Sequence, residues 1–123
     1  MKSRHWLTAA ALLGGTGILL GAFGAHALKD SLEPRLFAAF ETGTRYQMYS
    51  VIALLAVYLL SEKKPTSLSQ LAGYCSLGGS LIFSISLYAL SITGIRWLGA
   101  ITPIGGLLMI AGWMTIAYAS SKD

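Results

Sequence analysis

Charge is what this chain has least of. Lys and Arg number nine and Asp and Glu five, so charged residues make up 11% of 123 positions against 54% hydrophobic. Four stretches contain none of them: His5 to Leu28, Tyr46 to Ser61, Pro65 to Ile95 and Trp97 to Ser121. A soluble domain of this size covers its exterior with charge, whereas a bilayer demands an apolar exterior. The chain therefore reads as an integral membrane protein. Cysteine is nearly absent too: Cys75 stands alone, which excludes an internal disulfide and leaves the redox compartment open. No catalytic, metal-ligand or nucleotide-binding signature is present, so the reading expects no cofactor, no metal and no enzyme activity. The net charge of +4 comes from basic residues set singly or in pairs at the ends of apolar runs, as membrane anchors are. The expected neighbour is a lipid headgroup, not nucleic acid.

A helix needs about 20 residues to cross about 30 Å of hydrocarbon, so a chain of this length holds four crossings and no separate soluble domain. The expected fold class is all-α: a multi-pass, integral membrane four-helix bundle forming one transmembrane domain. The helices are placed at about 6–28, 34–60, 68–92 and 97–119. Lys2 and Arg4, the apolar run and Ala25-His26-Ala27 imitate a secretory signal. The run exceeds the roughly 7 to 15 residues of such a segment, so the first helix is expected to be retained.

Gly14, Gly17, Gly21 and Gly24 are spaced three, four and three apart and line one face of the first helix. In lipid no hydrophobic drive holds helices together, and glycines let backbones approach, so this stripe is expected to be a packing face. Tyr46 to Leu60 is too short to span alone. The second helix must begin earlier, with Asp30 or Ser31 as cap and Pro34 in the first turn. Projection at about 100° per residue puts Phe37, Glu41, Arg45, Tyr49 and Ile52 on one face, and Phe40, Gly43, Thr44, Gln47, Ser50 and Leu54 on another suited to helix contact. Glu41 and Arg45 are four apart and can pair at the headgroup level. The alternative is a candidate polar cluster of His26, Glu41, Arg45, Tyr46, Gln47 and Ser50, since His26 ends the first helix near the same depth. Ser76, Ser80 and Ser84 are four apart on the third helix and are read as packing residues that return their hydroxyl bonds to the backbone. Thr102 and Pro103 cap or kink the fourth helix, and Gly105, Gly106 and Gly112 supply another packing surface.

Basic residues favour, by five to four, the membrane side holding Lys2, Arg4, Lys63, Lys64 and Lys122 over that holding Lys29, Arg35, Arg45 and Arg96. Both termini are thus expected in the cytoplasm.

The strings LGAFGAHALK (Leu20 to Lys29), ETGTRYQMYSVIALL (Glu41 to Leu55), GGSLIFSISLYAL (Gly78 to Leu90) and TPIGGLLMIAGW (Thr102 to Trp113) resemble, in the same order, the small membrane proteins grouped as domain of unknown function 423. These include bacterial inner-membrane proteins and the eukaryotic transmembrane protein 256. The resemblance covers nearly the whole chain and implies a four-helix multi-pass protein of the cell (inner) membrane with no established activity. It rests on Gly21 to His26; on Thr42, Gly43, Tyr46 and Gln47; on Ser86, Leu87 and Tyr88; and on Thr102, Pro103, Gly105 and Gly106. Members often carry a His shortly after the Tyr-Gln pair, where this chain has Ser50, and a Gly where it has Ile85. The first departure argues against a two-histidine metal or haem site. The expected function is that of a structural or accessory component, packing against a larger membrane protein or forming a homo-oligomer. A small oligomeric transporter or channel is one alternative, weakened by the lack of a mid-helix acid. A lipid-directed enzyme using His26 with Glu41 or Tyr46 is another.

Overall fold

The computed structural model describes residues 1–122. Its four long helices are α1 (Ser3–Leu28), α2 (Pro34–Lys63), α3 (Ser67–Thr93) and α4 (Thr102–Ser121), the last preceded by a 3-10 turn over Arg96–Ala100. By length and apolarity α1, α3 and the segment Arg96–Ser121 are each able to span a bilayer. α2, with five charged residues and several polar ones along its length, is not in that set, yet its 30 residues are about 45 Å long. Ser3 Oγ donates to Glu62, so the end of α2 returns to the level where α1 begins. If α1 crosses, α2 crosses too.

Local chemistry sets the boundaries. Glu33 precedes α2 with Pro34 in its first turn, where the missing amide is no loss. Neither Asp30 nor Ser31 caps it: the Ser31 hydroxyl bonds the Ala27 carbonyl and closes α1 instead. Thr66 and Ser69 form a reciprocal capping box at the start of α3. Gly94, at φ 72°, ends α3 in the left-handed region that side chains resist. The expected start of the fourth helix near Trp97 is replaced by the 3-10 turn, with Pro103 in the first α turn. Thr102 caps nothing; its hydroxyl lies 2.6 Å from that of Ser86 on α3.

Helices pack mainly against their neighbours in sequence, α1 on α2, α2 on α3 and α3 on α4. The closest crossing is α3 with α4. A Cβ on Gly79 would lie 2.7 Å from the Met109 amide nitrogen, and one on Gly105 2.5 Å from that of Phe83. Backbone meets backbone there, which only glycine allows. The largest buried side chain is Trp6, which reaches past α2 to cover Gly73 and sets its ring edge-on to Tyr74 at 5.1 Å. With Ala10, Leu54, Val57 and Ala72 it forms the core at the end of the bundle where α1 starts.

The stripe expected on α1 is only half a packing face. Gly17 and Gly24 are tight, against Met48 and Phe40, whereas a Cβ on Gly14 would meet Val51 at an ordinary 3.8 Å and one on Gly21 would meet nothing within 4 Å. A π turn over Leu20–Gly24, closed by the Ala25 amide on the Leu20 carbonyl, interrupts the angular period at Gly21; Gly14 lies ahead of it.

Candidate functional site

The polar centre of the bundle is Gln47. It projects from the α2 face on which Phe40, Gly43, Ser50 and Leu54 are also buried. Its amide nitrogen donates to the Leu13 carbonyl at 2.8 Å and to Thr16 Oγ1 at 2.9 Å, both on α1. Its carbonyl oxygen accepts from the Tyr88 hydroxyl of α3 at 2.6 Å. Both N–H groups and the carbonyl are thus engaged, and one side chain ties three helices together. Thr16 Oγ1 in turn donates to the Leu12 carbonyl at 2.7 Å. One turn along α3 from Tyr88, Ser84 donates to the Gly43 carbonyl of α2 at 2.8 Å. That approach needs Gly43, where a Cβ would meet the Tyr88 ring at 2.7 Å. In hydrocarbon such bonds are the alternative to exposing polar groups to lipid.

The rest of the expected cluster does not assemble. His26, Glu41 and Arg45 are all exposed, with no hydrogen bond between them. Among the described residues the one ion pair is Arg35 with Glu33, at 3.6 Å. The physical reason is rotational: Glu41 and Arg45 lie on the outer face of α2, and His26 follows the π turn on the outer side of α1. Tyr46 stacks on Phe83 at 4.8 Å, and the buried Ser50 hydroxyl returns to the Tyr46 carbonyl at 3.2 Å. Among the described residues no three His, Cys, Asp or Glu side chains come together.

The serine ladder of α3 packs as expected, with all three side chains buried, but its hydroxyl bonds do not return to its own helix. Ser76 and Ser80 are buried with no hydrogen-bond partner, Ser76 pressed against Gly112, while Ser84 bonds across to α2 instead of to its own helix. A Cβ on Gly106 would meet the Phe83 ring at an ordinary 3.7 Å, so Gly105 and Gly112 carry the close approach. Gly73 and Gly79, which are buried, the half-buried Tyr88 and the exposed Thr16 take part in these contacts although no helix-face pattern marks them. Tyr88 carried a signal, being one turn from Ser84.

Helices of this length and apolarity, with polar groups bonded inward, define a multi-pass helical membrane protein. Residues 20–106 match the family model described as "Protein of unknown function (DUF423)", and the chain belongs to that family. It is 43% identical, over 100% of its own length and 98% of theirs, to a UPF0382 membrane protein of Haemophilus influenzae. It is 44% identical to one of Staphylococcus epidermidis over 83% of both chains, and 41% identical to the Bacillus subtilis UPF0382 membrane protein YwdK over 84% of this chain and 85% of that one. No solved structure matches the chain.

Proposed function

We propose that this protein is a non-catalytic accessory component of the cell membrane, with both termini in the cytoplasm, which docks laterally on a larger membrane protein or a second copy. What supports this reading is the saturation of Gln47: the polar centre of the bundle spends its hydrogen bonds on holding α1, α2 and α3 together. Meanwhile α1 packs along one side only. Its outer face carries the exposed residues Ala11 and Gly15, four apart and beside the exposed Ile18, and a Cβ at Gly15 would meet nothing within 4 Å. Small residues at this spacing give a second helix a flat path.

Mild-detergent extraction of the tagged protein, followed by size analysis and mass spectrometry, tests the proposal. A stoichiometric complex is the expected result, and Gly15→Leu is expected to dissolve it without unfolding the bundle. Recovery of wild type as a lone monomer overturns it. Reporter fusions after Lys64 and after Gly94 test the topology, with a cytoplasmic signal expected only from the first.

A further inference from the structure

At the end of the bundle where α2 and α4 finish, the two helices meet only lightly and leave a pair of grooves. One, of about 480 Å³, is bordered by Leu60, Lys64, Thr66, Ser67, Tyr118 and Lys122. The other, of about 520 Å³, runs from Lys63 and Lys64 past Leu59 and Ile116 to Ala56. Leu60, Lys64 and Ala119 are shared walls. The second groove is therefore an apolar slot with ammonium groups at its mouth, and the first is a more polar pocket beside it with Lys64 and Lys122 on its rim.

The lysines are placed, not merely present. Lys64 Nζ donates to the Lys122 carbonyl at 2.5 Å, which holds its charge across the gap between α2 and α4. Lys122 Nζ stands 5.4 Å from the centroid of the Tyr118 ring in the same groove. Among the described residues the one carboxylate at this end is Glu62, and it is engaged by Ser3 on the α1 side. The first turn of α3, beginning at Ser67, adds its positive dipole end to the first groove. From Lys63 back to Ala56 the helix descends about 10 Å, the step from headgroup level into hydrocarbon.

We propose that this basic double groove is a binding site for an anionic phospholipid, its phosphate held by Lys63, Lys64 and Lys122 and one acyl chain laid along Leu59, Ile116 and Ala56. A basic pocket between helices at the membrane surface selects anionic headgroups. A zwitterionic lipid offers the slot the same chain but brings its own ammonium toward three others. The site follows from membrane embedding alone and is independent of any lateral partner.

Native mass spectrometry of the full chain in detergent, titrated with dioleoyl phosphatidylglycerol or dioleoyl phosphatidylcholine, tests it. Wild type is expected to bind the glycerol lipid at least tenfold more tightly. Each lysine near a membrane surface is worth about fivefold, so K63Q/K64Q is expected to weaken phosphatidylglycerol by about 30-fold. K63R/K64R retains binding, and R35Q/R96Q at the opposite end leaves it unchanged. Each buried methylene contributes about fourfold, so chain-free glycerophosphoglycerol should compete more than about 50-fold more weakly. Equal binding of the two lipids, an unaffected K63Q/K64Q variant, an equal loss in R35Q/R96Q, or full competition by the chain-free headgroup each overturns the proposal.

Discussion

Replacing Gln47 by leucine tests the centre of the bundle, because the substitution keeps the side-chain volume nearly constant and removes three hydrogen bonds at once. The two bonds toward α1 leave no orphan: the Thr16 hydroxyl keeps the Leu12 carbonyl, and the Leu13 carbonyl keeps its place in the helix. Interhelical bonds in membranes are worth about 0.6 kcal/mol on average, so this pair contributes about 1.2 kcal/mol. The Tyr88 hydroxyl does lose its acceptor, adding about 1 kcal/mol. Gln47→Leu should therefore destabilise by about 2 kcal/mol. Tyr88→Phe should destabilise by about 1 kcal/mol, and the double variant by less than the sum, with a coupling between about 0.6 and 1.7 kcal/mol. Reversible unfolding in mixed micelles of rising SDS fraction, read by circular dichroism, measures all four corners of the cycle. A Gln47→Leu protein within about 0.5 kcal/mol of wild type, or a coupling below about 0.3 kcal/mol, refutes the assignment of Gln47 as the tie between three helices.

The same assay distinguishes the glycines. Gly105→Ala drives a Cβ to 2.5 Å from the Phe83 nitrogen and should cost about 1–3 kcal/mol or more, whereas Gly15→Ala meets open space and should be neutral or stabilising by up to about 1 kcal/mol. Ser84→Ala loses its bond to the Gly43 carbonyl and should destabilise by about 0.6 to 1.7 kcal/mol. Ser80→Ala removes a buried hydroxyl that has no partner, and its stability should match or exceed that of wild type. His26→Ala, Glu41→Gln and Arg45→Gln alter exposed groups with no bond to one another; each should stay within about 0.5 kcal/mol of wild type, and a Glu41–Arg45 cycle should show no coupling beyond that.

The helical class was legible because lipid imposes a composition that no soluble domain of this size shares, and the buried face of α2 because a period of 3.6 places Phe40, Gly43, Gln47, Ser50 and Leu54 together. Projection says which residues share a face, and not which helix that face will meet. His26 and Glu41 were placed at one depth from their positions in two antiparallel helices, yet depth is only one of the coordinates a contact needs. The π turn over Leu20–Gly24 adds a second source of error, since it changes the azimuth of everything after Leu20 without leaving a mark in a hydropathy pattern.

Ser76, Ser80 and Ser84 show why spacing alone could not tell packing from bonding. All three are buried on one helix and four residues apart, so they share a face and a chemistry. Their fates differ because their neighbours differ. Where α3 crosses α4 the glycines Gly79, Gly105 and Gly112 bring the backbones into direct contact, and there Ser76 lies against Gly112 with no acceptor in reach. Helical carbonyls point along their own axis, so proximity by itself does not supply a bond. At Ser84 the opposing residue is Gly43 of α2, whose missing side chain uncovers a carbonyl from the flank, and the hydroxyl reaches it at 2.8 Å. For Ser76 and Ser84 the deciding residue is on the other helix. Ser76 is thus a spacer and Ser84 a tie according to which glycine faces each, and replacing Gly43 by Ala should cost more than removing the Ser84 hydroxyl, because it displaces Tyr88 from Gln47 as well.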